Sequence, residues 1–352
     1  MGIATGRFVI DTHVHHLRLA LKWKERGATP DFVGLGQGMR VLEGYDNSPR
    51  LFYDMERYGV DLVVLHPGPG AGDGSLTEEV IKKYPEKFVA TYDGSAYVQK
   101  AKNGELDWTI EGLCQDLDEK LSTGLYVGVG EGMPTGPVDD MNKPMEWGAR
   151  FEQICHIMEV VQKHKVTVGW HTGGASGYSG GRSQLGSRAF GERANVLLAH
   201  DVAAAYPDVP LILAHGGVDG WWSETTWEQC LQVAAAHPNV YLETGQWWTE
   251  LYEKPLRDPN IGAERLLWGT DWGAAHPVQW WPGGYPTTYF DQSRKDGPPA
   301  HMPDIFGQSL RWLDKLDIPQ DDLNLILGGN AVKLFKLEGK MPHTRMFKQF
   351  LK

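Results

Sequence analysis

The 352-residue chain is short of three things, and each shortage narrows what it can do. Its three cysteines, Cys114, Cys155 and Cys230, lie far apart with no CxxC pair. Each falls in a stretch that reads as an amphipathic helix, so buried free thiols are expected, a usage that fits a reducing compartment. No apolar run approaches the ~20 residues that a membrane span needs. The N-terminus enters a strand at Phe8 to Ile10 without the charged and apolar regions of a signal peptide, so a cytoplasmic location is expected. Basic residues are outnumbered, 34 against 45 acidic, for a formal charge of −11. That balance argues against nucleic acid as partner, because phosphate binding needs a basic face. It leaves room for an anionic small molecule, since a local cluster of Arg or His can oppose the global sign.

What is present is a core. Hydrophobic residues make up 41 % of the chain, enough to fill a globular interior. Short runs rich in Val, Ile and Leu alternate with longer stretches of helical period, which predicts a parallel sheet with crossover helices. The strand candidates are 8–13, 60–66, 87–92, 124–130, 166–171, 209–215, 239–243 and 266–271. Eight strands close a barrel, and Val60 to Leu65 and Val209 to Ala214 are nearly continuous apolar runs, as strands covered on both faces require. Helices are expected at Thr77–Tyr84, Asp107–Leu121, Trp147–His164, Asn195–Tyr206, Thr226–His237, Asp304–Leu316 and Asn330–Phe335. A doubly wound open sheet would want a Gly-rich phosphate turn after its first strand, and this strand ends in His-x-His instead. The expectation is an α/β fold, a (β/α)8 TIM barrel forming one domain over residues 1–352. Long insertions at about 17–50 and 272–303 follow the first and last strands, where loops build the active-site face of a barrel.

Polar residues punctuate the strand ends. Asp11-Thr12-His13-Val14-His15 closes the first, and residues i and i+2 of a strand point the same way. His13 and His15 therefore converge at the barrel mouth, close enough to share one cation. His171 ends the fifth candidate, His215 the sixth and Asp271 the eighth. One such residue is an ordinary strand-end polar group; four strands ending this way all aim at one mouth.

These motifs resemble a family. His-x-His after strand one, His171-Thr172-Gly173 after strand five, His215-Gly216-Gly217 after strand six and Gly269-Thr270-Asp271-Trp272 after strand eight are similar to the amidohydrolase-related superfamily. Within it they resemble the branch that includes aminocarboxymuconate-semialdehyde decarboxylase and the hydroxybenzoate decarboxylases. Leu327 to Phe335 is similar to that branch's usual ending, so the resemblance runs from Asp11 to Phe335. One departure is Gly273, where the branch often has Pro after Asp-Trp.

The resemblance implies that His13, His15, His171 and Asp271 hold a divalent metal, zinc first and manganese second. It also implies that His215 and Asp271 are catalytic, with His215 a base or acid beside the metal. The chemistry agrees: three imidazoles and a carboxylate suit a borderline metal such as zinc, and water on such an ion has a pKa near 7. Glu131 follows the fourth strand, where many binuclear relatives carry a modified Lys. The missing Lys favours one metal, yet some relatives use a Glu, so Glu131 is a candidate for a second-metal bridge or for a partner that orients a ligand His. Arg182, Arg188, Trp272 and His276 are candidate substrate contacts, each Arg being also an ordinary surface residue. Fourteen Trp, several after strand ends, suit a planar substrate but also fill barrel–helix interfaces.

The resemblance implies first a metal-dependent, non-oxidative decarboxylase of an aromatic or unsaturated carboxylic acid. The alternative is a metal-dependent hydrolase whose metal-bound hydroxide attacks an amide, ester, lactone or carbon–carbon bond. The expected partner is a small planar carboxylate, with neither nucleic acid nor membrane, and family habit implies a homodimer or higher homo-oligomer. A barrel kept only for binding would have lost a ligand, and no ligand position is missing.

Overall fold

Successive side chains of a strand point to opposite faces, and here both faces are covered. The structure, a computed structural model, describes residues 8–15, 17–20, 43–46, 48–67, 74–133, 146–172, 195–218, 224–272 and 305–340. The strands are β1 (Ile10–Val14), β2 (Leu17–Ala20), β3 (Glu43–Asp46), β4 (Leu62–Leu65), β5 (Phe88–Tyr92), β6 (Tyr126–Met133), β7 (Thr167–His171), β8 (Leu211–Ala214), β9 (Val240–Glu243) and β10 (Leu266–Leu267). All but β2 and β3 form one parallel sheet in the order β1-β4-β5-β6-β7-β8-β9-β10.

The sheet closes on itself. Thr12 N–H donates to the Trp268 carbonyl at 3.0 Å, His15 N–H donates to the Trp272 carbonyl at 2.7 Å, and Val14 bridges Trp272. The buried Asp11 carboxylate locks the same seam by accepting the His13 N–H (2.9 Å), the Thr270 N–H (3.1 Å) and the Thr270 hydroxyl (2.5 Å). Burial pushes Asp11 up to about 8, while Thr270 and His13 pull the other way. The fold is the (β/α)8 barrel that the eight apolar runs predict.

Eleven helices are described: α1 (Ser48–Tyr58), α2 (Ser75–Lys83), α3 (Ser95–Lys102), α4 (Ile110–Ser122), α5 (Trp147–His164), α6 (Leu198–Ala205), α7 (Glu224–Ala236), α8 (Thr249–Arg257), α9 (Ile305–Leu313), α10 (Gln320–Asn324) and α11 (Asn330–Phe335). In α5, Ile154, Ile157, Met158 and Val161 are buried at the spacing of one helical face. Such faces meet the outward residues of the strands, including Val63 and Leu65, in the larger core cluster.

The inward residues Ile10, Leu62, Val64, Val89, Ile212 and Leu267 form a smaller cluster plugged by Val332 and Phe335 of α11. This close seat explains Gly328, where a Cβ would collide with the Phe8 carbonyl. Beyond the plug the interior turns polar, and Thr12, His66, Thr91, Thr167 and Glu243 line a small cavity under the strand ends. That polar layer is the floor of the site.

The differences from expectation lie in short elements. The segment expected as an insertion at 17–50 contains the antiparallel pair β2–β3 and the start of α1. Helices α1, α3, α8 and α10 go unanticipated, α8 being nine residues with Pro255 in its last turn. No helix among the described residues is long and apolar enough to cross a membrane.

Candidate metal centre

The strand order carries six side chains to one end of the barrel. His13 and His15 come from the end of β1, Glu131 from β6, His171 from β7, His215 from the turn after β8 and Asp271 from just beyond β10. His215 and Asp271 adopt φ of 62° and 56°, a region that residues with a Cβ enter at a cost and that clusters at functional sites.

The ligand atoms crowd together. His13 Nε2 lies 2.7 Å from Glu131 Oε2, 3.1 Å from His15 Nε2 and 3.8 Å from Asp271 Oδ1. His15 Nε2 lies 3.3 Å from Asp271 Oδ1 and 3.7 Å from Glu131 Oε1. Donors held at about 2.1 Å around a tetrahedral ion stand roughly 3.4 Å apart, so these four residues match a divalent cation in spacing and donor type.

A second group adjoins the first. Glu131, His171 and His215 offer ligand atoms within 4.8 Å of one another. His215 Nε2 is 3.8 Å from Glu131 Oε2, and the rings of His171 and His215 are 4.8 Å apart. Glu131 is the member common to both groups. The structure therefore seats His13, His15 and Asp271 together as expected. His171 stands beside Glu131 and His215.

The surrounding groups set the tautomers. A carboxylate and a carbonyl only accept, so His13 Nδ1–H donates to Glu243 Oε2 at 2.9 Å and His15 Nδ1–H to the His66 carbonyl at 3.2 Å. Both Nε2 atoms are thereby turned to the centre, the usual arrangement of ligand histidines. His66 itself is neutral: its Nε2–H donates to the Thr12 carbonyl at 2.9 Å and its Nδ1 accepts from Thr91 at 3.2 Å. Burial first, then the His13 charge, lowers its pKa to about 3. Gln246 Nε2 donates to Asp271 Oδ2 at 2.8 Å, which leaves Oδ1 toward His15.

Charge is balanced inside the centre. Burial alone would lower His13, but Glu131 and Glu243 outweigh it and hold the imidazole well above its usual range. Burial alone would raise Glu131, but His13, His15 and His171 hold it well below the usual carboxylate range. The pair is an imidazolium facing a carboxylate, with the proton standing where a cation would sit.

Three contributors escape the sequence reading. Glu243 ends a strand candidate, the same signal that marks His215 and Asp271. His66 follows another, and Gln246 lies three residues beyond Glu243. Trp272 is 1 % exposed and its indole N–H donates to Asp54 Oδ2 at 3.0 Å. Trp170, Trp247 and Trp268 are likewise fully buried in the outer core, so these four indoles fill space between barrel and helices. Arg182, Arg188 and His276 lie outside the described residues.

Comparisons with known proteins give the family and the fold. The family model described as Amidohydrolase matches residues 10–337. L-fucono-1,5-lactonase of Burkholderia ambifaria is 28 % identical over 152 residues, which are 39 % of this chain and 44 % of the lactonase, so less than half of that relative is matched. Among solved structures, 2,6-dihydroxybenzoate decarboxylase complexed with 2,6-dihydroxybenzoate aligns with a TM-score of 0.54 at 17 % identity, over 95 % of this chain and 100 % of that one. An amidohydrolase from Burkholderia multivorans with bound zinc aligns with a TM-score of 0.51 at 13 % identity, over 94 % and 99 %. At these identities the two structures share the fold.

Proposed function

This chain belongs to the amidohydrolase family, and we propose that it is a metal-dependent hydrolase acting on a carbonyl compound, with a lactone or ester as first substrate class. The observation that carries the reading is Glu131, which stands between the group with His13 and His15 and the group with His171 and His215. A carboxylate shared in this way suits a centre that activates water beside the substrate carbonyl. It shifts the balance from decarboxylation, which the missing Lys had favoured. The partial likeness to a lactonase supports the substrate class.

The residues divide the work. His13, His15, Glu131 and Asp271 would hold a divalent cation such as zinc or manganese, with His171 and His215 beside Glu131. The ion supplies Lewis acidity and brings the pKa of water down to about 7. Asp271, kept in place by Gln246, accepts a proton from the attacking water. His215, beside Glu131, donates one to the leaving oxygen or nitrogen. Thr172 steadies this arrangement, because its hydroxyl donates to the Ala214 carbonyl at 2.5 Å and accepts the Gly217 N–H at 2.7 Å. The turn that carries His215 is thereby tied to the end of β7.

Decarboxylation keeps one observation on its side, the similarity of the His-Thr-Gly and Gly-Thr-Asp-Trp motifs to the decarboxylase branch. The deciding experiment follows proton release from a lactone and ester panel and carbon dioxide release from hydroxybenzoates, each with zinc- and manganese-loaded protein. The expected result is metal-dependent hydrolysis that disappears in Asp271→Ala. Carbon dioxide release without hydrolysis would make the protein a decarboxylase, and inactivity in both assays would remove the hydrolase reading.

A further inference from the structure

Glu243 is buried at 1 % exposure at the end of β9, and its two oxygens are used unequally. Oε2 accepts twice, from His13 Nδ1–H at 2.9 Å and from the His215 backbone N–H at 2.7 Å. Oε1 has no hydrogen-bond donor among the described residues. A buried carboxylate oxygen left without a donor is costly, and packing alone does not justify it.

The seat is nevertheless built for it. A Cβ at Gly245 would come within 2.8 Å of Oε1, and one at Gly269 would collide with the same oxygen. Glycine at both positions leaves room for the carboxylate on β9 and beyond β10. Its orientation is therefore fixed by backbone on one side and by two donors on the other.

We infer that Glu243 is the positioning residue of the metal centre, tying the ligand His13 to the main chain of His215 through one carboxylate oxygen. The inference rests on the metal-holding centre proposed above and adds what holds it in register. With Nδ1–H engaged by Glu243, the lone pair of His13 Nε2 is left for the cation, and the negative partner raises the basicity of the imidazole. The bond to the His215 N–H holds that residue in its positive-φ backbone. Through Oε2, Glu243 acts on these two histidines.

Two variants test this from opposite sides. Glu243→Gln keeps the volume and loses the charge, whereas Gly269→Ala keeps the charge and takes its seat. Zinc affinity is read by competition with a chromophoric chelator, metal-free stability by thermal melting, and the His13 Nδ1–H by proton–nitrogen correlation on histidine-labelled, zinc-loaded protein. Both variants should bind zinc about 10–100-fold more weakly, with the same number of ions at saturation. In zinc-loaded Glu243→Gln the His13 Nδ1–H resonance should move upfield, because a neutral amide oxygen is a weaker acceptor than a carboxylate, a change that a purely structural role would not produce. Turnover at saturating zinc should fall about tenfold in Gly269→Ala, where the displaced carboxylate no longer reaches the His215 N–H, and less in Glu243→Gln, whose amide oxygen still accepts it. Parental zinc affinity in both variants, or an unmoved His13 Nδ1–H resonance in Glu243→Gln, would overturn the inference. A parent protein that binds no zinc would instead sink the metal reading on which it stands.

Discussion

His215 and Asp271 are the two site residues whose backbones carry strain, on the order of 1–2 kcal/mol each for a residue with a Cβ in the left-handed region. Their neighbours suggest different losses on truncation. Asp271 Oδ1 sits 3.3 Å from His15 Nε2 inside the first donor group, whereas His215 stands at its edge, 3.8 Å from Glu131 Oε2 and with its ring 4.7 Å from that of His13. Asp271→Ala is therefore expected to lose bound metal and turnover together, measured as metal per chain by elemental analysis beside activity. His215→Ala should lose turnover by about 10²–10⁴-fold and keep the ion held by His13, His15 and Asp271. An active His215→Ala enzyme would remove its assigned role. The same residues show what a sequence exposes. His13, His15, His171, His215 and Asp271 are legible because a polar residue after an apolar run marks a strand end at the barrel mouth. Glu243 and His66 obey the same rule but belong to none of the motifs that carry the resemblance. Only the fold shows that their contacts reach His13 and His15.

At the scale of elements, the eight sheet strands are legible because each is an apolar run with both faces buried, as Leu62 to Leu65 illustrate at 0 % exposure. Helices α3 and α8 span two turns or little more, too short for a 3.6-residue period to stand out from a loop. The β2–β3 pair carries no alternation long enough to find. The junction between β5 and α3 makes a pH prediction. There Asp93 accepts the Ser95 N–H at 3.0 Å at the start of α3, and burial, opposed by the Ser95 bonds, pushes its carboxyl up to about 6. A carboxyl raised in the folded state stabilises the fold fully below its unfolded pKa of about 3.9. That contribution is lost as pH rises through about 6. Two units correspond to roughly 3 kcal/mol, and partial exposure reduces this to about 1–2 kcal/mol. Asp93→Asn keeps an acceptor for Ser95 and removes the charge. It should be more stable than the parent by about that amount at pH 7.5 and equal to it below pH 4, as urea unfolding at the two pH values would show. A difference independent of pH would place the effect elsewhere.

For the whole molecule, the weak point of a barrel is where its first and last strands must meet. Here β1 and β10 are joined by few bonds: the Thr12–Trp268 and His15–Trp272 backbone pairs and the Asp11–Thr270 lock. The centre lies directly across this seam, since His13 and His15 belong to β1 while Asp271 follows β10. A cation shared by these three residues would act as a clasp closing the barrel, and it would also offset the buried carboxylates of Glu131, Asp271 and Glu243. Metal binding should therefore be linked to global unfolding rather than to local order at the mouth. A ligand present at 1,000 times its dissociation constant adds about 4.1 kcal/mol. At roughly 2–4 °C per kcal/mol for large domains, that amounts to a Tm shift on the order of 10 °C. Stripping the protein with a chelator should lower the Tm by this much, and zinc or manganese should restore it. Asp271→Ala, with one end of the clasp cut, should melt at the same temperature with and without chelator. If the parent's Tm ignores the chelator while the protein still carries metal, the ion is held to one side of the seam and the clasp does not exist.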